Sequence, residues 1–197
     1  MLLLLKNVRI TGGKEEKAPQ DILIRDGVIE SIGANLPDTK GAEVWDWPNA
    51  CVSPGWFDAG VQACDPGFEH REDLLSAAQA AAAGGYTAVA SFPNTNPAIH
   101  SKSEILYVKN KTAASPVTFH PIGAISQGCE GKDLAEMFDM YTAGAIAFSD
   151  GRKAVQDAGL LLRALLYAKA FNGLVINEPH HKTIASGGQM HEGLVST

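Results

Sequence analysis

Gly60 and Gln62 hold an i, i+2 spacing near the end of an apolar run in this 197-residue chain, a spacing at which two side chains could act on one ligand. They belong to Pro54-Gly55-Trp56-Phe57-Asp58-Ala59-Gly60-Val61-Gln62-Ala63-Cys64, at the end of the apolar run Val52 to Val61. Side chains two apart on a strand point to one face, so imidazoles at this spacing could converge on one cation and activate water for hydrolysis. Glycine offers no donor, and a neutral amide is a poor ligand for zinc. A histidine pair at this spacing would suit metal-assisted hydrolysis; Gly60 and Gln62 do not supply one.

Further polar groups follow other apolar runs. Asn94 comes after Tyr86 to Phe92, and His120 lies within Val117 to Ile125. Asp150 follows Ala145 to Phe148, while Glu178, His180 and His181 follow Leu174 to Ile176. Asp150, Glu178 and His180 form a His/Glu/Asp set that could hold a single zinc. Adjacent histidines on an extended segment point apart, so only one of His180 and His181 can join Glu178. Cys64 with His70 has the composition of a nucleophile and its base, but a cysteine without a firm partner is inert. His70, His100 and His191 read as surface residues, His120 as a hydrogen-bonded strand histidine, and Glu69 to Asp73 as a solvated helix start.

Two kinds of element must position these groups. Leu2 to Ile10, Asp21 to Ile32 and Glu43 to Trp47 have strand character, with Asp26-Gly27 as a hairpin turn. They predict a small β-layer over residues 1–50. From Cys51 onward strands alternate with helices, the latter predicted at Asp73 to Ala83, Ser101 to Ala114, Asp133 to Ala143 and Ala154 to Phe171. Asp133 and Glu136 suggest a cap for the third helix. The alternation predicts a parallel sheet covered by helices over 51–197, and ligands then gather at the carboxyl ends of the strands. Five strands fall short of an eight-stranded barrel of about 250 residues. The chain is therefore expected to be the front part of something longer, a complete open α/β domain being the alternative.

Composition narrows the function class. The net charge is −6, 45% of residues are hydrophobic and 19% charged, and no Lys/Arg run occurs. That excludes an electrostatic footprint for nucleic acid or an anionic membrane. Lys6 ends the apolar start at Met1 to Leu5, far short of a spanning helix. The three cysteines, Cys51, Cys64 and Cys129, form no close pair, which predicts free thiols and a cytoplasmic setting.

Four collinear motifs carry a family resemblance. The chain is similar to dihydroorotases of the cyclic amidohydrolase superfamily at Pro54 to Gly67, Gly84 to Pro97 (GGYTAVASFPNTNP), Ala143 to Asp150 (AGAIAFSD) and Gly187 to Gly193 (GGQMHEG). The resemblance implies a metal-dependent amidohydrolase (β/α)8 TIM barrel, about five strands of it here, preceded by part of a β-sandwich. It implies the interconversion of carbamoyl aspartate and dihydroorotate in pyrimidine synthesis. It also implies metal ligands at positions 60, 62, 151 and 178, where this chain has Gly60, Gln62, Gly151 and Glu178, and a carboxylate-gripping arginine where it has Cys64. Asp150 matches the first of two consecutive acids, and Asn94 matches the substrate-contacting asparagine.

The expected protein is a dihydroorotase-like chain that binds no metal and persists as a structural partner of aspartate transcarbamoylase, or as a homo-oligomer. The alternatives are an active amidohydrolase with non-standard zinc ligands, and a binding module that keeps an organic-anion pocket around Asn94.

Overall fold

A computed structural model describes residues 1–12, 18–48 and 50–188, and the chain divides into two compact units after Gly55. In the first unit, β1 (Leu2–Ile10) is the hub. It pairs antiparallel with β2 (Gln20–Arg25) and parallel with β4 (Glu43–Asp46) and β5 (Cys51–Val52), while β3 (Val28–Gly33) closes the other edge on β2. Asp26 and Gly27 both take positive φ, 50° and 81°. Two such residues match the right-handed twist of the strands they join, as the sequence predicts. Leu3, Leu4, Val8 and Ile22 are buried. Asp21 accepts from the N–H of Asn7 and of Leu36 and so satisfies two donors at irregular points of the chain.

The second unit is a parallel sheet in the order β6 (Trp56–Val61), β7 (Tyr86–Ser91), β8 (Thr118–Gly123), β9 (Ala147–Phe148), with α1 (Leu74–Ala83), α2 (Lys102–Lys111), α3 (Met137–Ala143) and α4 (Ala158–Lys169) between or after the strands. Local signals set the helix starts. Asp73 caps α1 by accepting from the N–H of Leu75 and Ser76, and Ser101 with Glu104 forms a reciprocal box at α2. The helices bury narrow stripes, Ile105 and Val108 on α2 and Leu160, Ala164 and Ala168 on α4. These meet Val89, Phe119 and Phe148 from one face of the sheet. The other face carries a smaller cluster of Ala90, Ile122 and Ala147, with Phe92 packed on it.

Three expectations are corrected. The run Val52 to Val61 is two strands, because Cys51–Val52 pairs with β1 in the first unit and only Trp56–Val61 joins β7. The third helix begins at Met137 and not at Asp133. Gln127 N–H donates to the Asp133 carbonyl and Ala135 N–H to that of Ile125, which draws 133–135 into an extended bridge. The fourth begins after Asp157, whose carboxylate caps it, and not at Ala154. Where a fifth strand is predicted, Val175 forms a single parallel bridge to Phe148.

Candidate functional site

The strand-end loops of the second unit bring the sequence-predicted residues together only in part. Gly60 faces the Phe92 ring: a Cβ there would lie 2.7 Å from Phe92 Cε2 and 2.9 Å from Cζ. Gln62 was expected on the same face but is not. The pairing register shifts between Asp58 and Val61, and β6 ends at Val61. Gln62 instead lines a crevice with Val61, Glu72, Ala77 and Ala81, on the α1 side, where its buried Nε2 has no hydrogen-bond partner. Regular alternation would have aligned the two positions; the irregular strand end separates them.

Asn94 is committed to the chain itself. Its Nδ2 donates to the Asp150 carbonyl (2.9 Å), and its Oδ1 accepts from the Arg152 N–H (3.1 Å). The amide thereby occupies the space beside Gly151, whose φ is +62°.

Asp150 is 2% exposed. Its Oδ1 accepts from the N–H of Ile125 (3.0 Å) and Ser126 (2.9 Å), and its Oδ2 accepts from Ser126 Oγ (2.5 Å). Ser126 Oγ in turn accepts from Gly131 N–H. The carboxylate thus holds the loop after β8. Glu178 and His180 are exposed and share with Asp150 a cavity of about 460 Å³ that Arg152, Lys153 and Lys182 also line. A zinc site wants about three protein donors, and three of the roughly four lone-pair directions of Asp150 are already taken by Ile125 and Ser126. Among the described residues no three His, Cys, Asp or Glu side chains form a group able to hold a metal ion. The donors present do not fit the metal centre implied by the resemblance.

The remaining candidates disperse. His70 is exposed, with its ring edge-to-face on Phe68, and is not paired with Cys64. His120 packs edge-to-face with Phe57. His100, expected at the surface, is half-buried, and its Nδ1 accepts from Gly128 N–H (2.9 Å). His191 and the Gln189-to-Gly193 part of the last motif lie outside the described residues. Cys129 is buried, and that burial, aided by the Asp150 charge, pushes its thiol up to about 12. All three cysteines are free.

Sequence reasoning missed Asp65. Its carboxylate is buried and accepts from Tyr107 Oη (2.8 Å) and Leu74 N–H (3.2 Å), and Lys111 Nζ lies 2.7 Å away. Burial pushes its pKa up, but the hydrogen bonds from Lys111, Tyr107 and Leu74 outweigh that and leave it below the usual carboxylate range. Lys111 is raised above the ordinary lysine value, mainly through its bond to Asp65. The only local signal was Tyr107 and Lys111 one helical turn apart.

Comparisons with known proteins agree with this architecture. A family model described as dihydro-orotase-like matches residues 50–197. The dihydroorotase of Pelotomaculum thermopropionicum is 45% identical over 95% of this chain and 43% of its own length. Among solved structures, an L-hydantoinase (dihydropyrimidinase) from Arthrobacter aurescens superposes with a TM-score of 0.81 at 23% identity, over 95% of this chain and 43% of that one. A D-hydantoinase superposes with a TM-score of 0.71 at 29% identity, over 89% of this chain and 39% of that one. The chain thus spans less than half the length of each of these three proteins. The fold is the amidohydrolase TIM-barrel type with a separate N-terminal sheet. No helix among the described residues is long and apolar enough to cross a membrane. On the family match and the identity to a curated relative, this chain belongs to the dihydroorotase-like family of cyclic amidohydrolases.

Proposed function

We propose that this is a dihydroorotase-like protein of de novo pyrimidine biosynthesis that does not itself interconvert carbamoyl aspartate and dihydroorotate, and that serves as a structural partner of aspartate transcarbamoylase. One observation supports the loss of turnover: positions 60 and 151, where the resemblance implies metal ligands, are glycines, and the retained acid Asp150 is hydrogen-bonded to Ile125 and Ser126. Gly60 has no donor, and Gln62 lies on the α1 side. Without about three ligands, nothing in these residues lowers the pKa of a water to near 7. Changing even an outer partner of a metal site costs about 10–100-fold, and here the ligand positions themselves differ.

The partner is argued by analogy, because fold alone does not specify function. The transcarbamoylase makes the carbamoyl aspartate that a dihydroorotase consumes, so a chain that keeps the architecture without the donors can retain an association between consecutive enzymes. Three free thiols support a cytoplasmic setting.

The test is purification of the full-length protein without added zinc, with metal analysis, a dihydroorotase assay and co-purification of the transcarbamoylase. We expect sub-stoichiometric metal, no turnover and a stable complex in which the transcarbamoylase is more active than alone. Stoichiometric zinc, lost together with activity in Glu178→Ala or His180→Ala, would establish the active amidohydrolase instead. Recovery of the chain only as a free species would remove the scaffold role.

A further inference from the structure

The positions that lack donors are not vacant, and their neighbours have a use for them. We infer that the ligand positions are closed over by retained neighbours: Phe92 and Asn94, both within a motif that the chain keeps, occupy, as packing and hydrogen-bonding groups, the volume that side chains at positions 60 and 151 would need. The inference rests on reading those positions as ligand sites of the family, but not on the loss of turnover.

At position 60 the obstacle is an aromatic ring held in place. Phe92 packs on Ala90, Ile122 and Ala147, and its N–H donates to the Val61 carbonyl at 2.9 Å. The ring therefore lies across the end of β6, and Gly60 accommodates it by having no side chain. A Cβ at 2.7 Å from a ring carbon is well inside van der Waals contact, so any residue there must shift the ring.

At position 151 the obstacle is polar and doubly tethered. A Cβ on residue 151 would overlap Asn94 Oδ1 and come within 2.7 Å of Asn94 Cγ. Rotating the amide away would break both of its bonds, to the Asp150 carbonyl and from the Arg152 N–H. The left-handed backbone at Gly151 adds its own penalty for any Cβ. Asn94 is thus a strut between the loop after β7 and the loop after β9.

Each substitution is accordingly coupled to a neighbour. Returning a donor to position 60 or 151 one residue at a time is uphill, because it first evicts a group that now contributes to folding. Sites that share a contact depart from additivity, and a double-mutant cycle measures the departure.

The experiment is two such cycles on thermal stability of the full-length protein. Gly151→Ala is made in the native and in the Asn94→Ala background, and Gly60→Ala in the native and in the Phe92→Leu background. Leucine lacks the ring atoms in question yet keeps the site apolar. We expect Gly151→Ala to lower Tm at least twice as much with Asn94 present as without it, the residue being left-handed strain. Gly60→Ala should lose at least half of its Tm effect beside leucine. Additive effects in both cycles would overturn the inference. Should Asn94→Ala fail to fold, Asn94→Ser opens the same space with a smaller loss and is read in the same way. Neither cycle measures metal or turnover, so an active zinc enzyme would remove the proposed function and leave this inference to stand or fall by its coupling.

Discussion

Two buried carboxylates, Asp65 and Asp150, lie at strand ends of the same sheet, and the protein handles them in opposite ways. Asp65 follows β6 and is matched by a cation: Lys111 reaches it from α2, with Tyr107 and the Leu74 N–H filling the other directions. Asp150 follows β9 and accepts from two backbone N–H groups and one hydroxyl, with no ion pair among the described residues. The first is an ion pair joining a loop to a helix; the second is a peg through the middle of a loop. Both are claimed by folding, although both stand where a barrel enzyme keeps its chemistry. A strand-end acid in a pocket is therefore not by itself a ligand, and its partners decide what it can do.

The strongest way to break this comparison is to remove the peg. Asp150→Ala leaves the N–H groups of Ile125 and Ser126 buried without an acceptor, at about 1–3 kcal/mol each. We expect a loss of about 3–5 kcal/mol in urea unfolding. A loss below about 1 kcal/mol would show that water replaces the carboxylate.

Next in size is the ion pair. Lys111→Met strands the Asp65 charge beside Tyr107 and Leu74. Breaking a fully buried pair costs about 3–5 kcal/mol, and the partial exposure of Lys111 reduces the expectation to about 2–3 kcal/mol. Adding Asp65→Asn to that variant should recover part of the loss, and chemical denaturation of the four proteins measures the coupling.

The pair also sets a pH dependence of defined sign. The Asp65 pKa is lowered by folding, so its contribution is present above the unfolded value of about 3.9 and is lost as pH falls through the lower folded value. The Lys111 pKa is raised, so its contribution is present below the unfolded value of about 10.4 and is lost as pH rises through the higher folded value. The stability difference between native protein and Asp65→Asn should be flat from about pH 5 to 9 and shrink below about pH 4. A difference that is flat through the acid range would contradict the pairing.

The smallest effect sharpens the Asp150 side. Cys129, pushed up to about 12 by burial and the Asp150 charge, should resist iodoacetamide in the native protein at pH 8, while exposed Cys51 reacts. Peptide mass spectrometry reads both, and rapid labelling of Cys129 would mean that its loop opens.

Much of this was legible in local pattern. The Asp26-Gly27 hairpin, the helices starting near Asp73 and Ser101 and the β/α alternation depend on neighbours within a few residues, and each element lies near where the sequence placed it. The start of α3 was not legible, because the Asp133 segment is captured by Gln127 and Ile125 through tertiary hydrogen bonds. At the site, the substituted positions were visible as residue types, but not what replaced them. That Phe92 lies across Gly60, that Asn94 fills the space at Gly151, and that Gln62 lies on the α1 side are consequences of strand register and long-range packing. Asp65 escaped notice for the same reason, since its cation lies 46 positions on in the chain.

Gly67 shows how little freedom the first two crossings retain. Its φ is +94°, and a Cβ on it would run into the Asn96 carbonyl, whose own N–H donates to the Pro66 carbonyl. The two connections lie backbone against backbone, with no side chain to act as a shim between them. Their tips can exchange polar groups freely, but one methyl at this crossing would wedge them apart and tilt whatever stands on either.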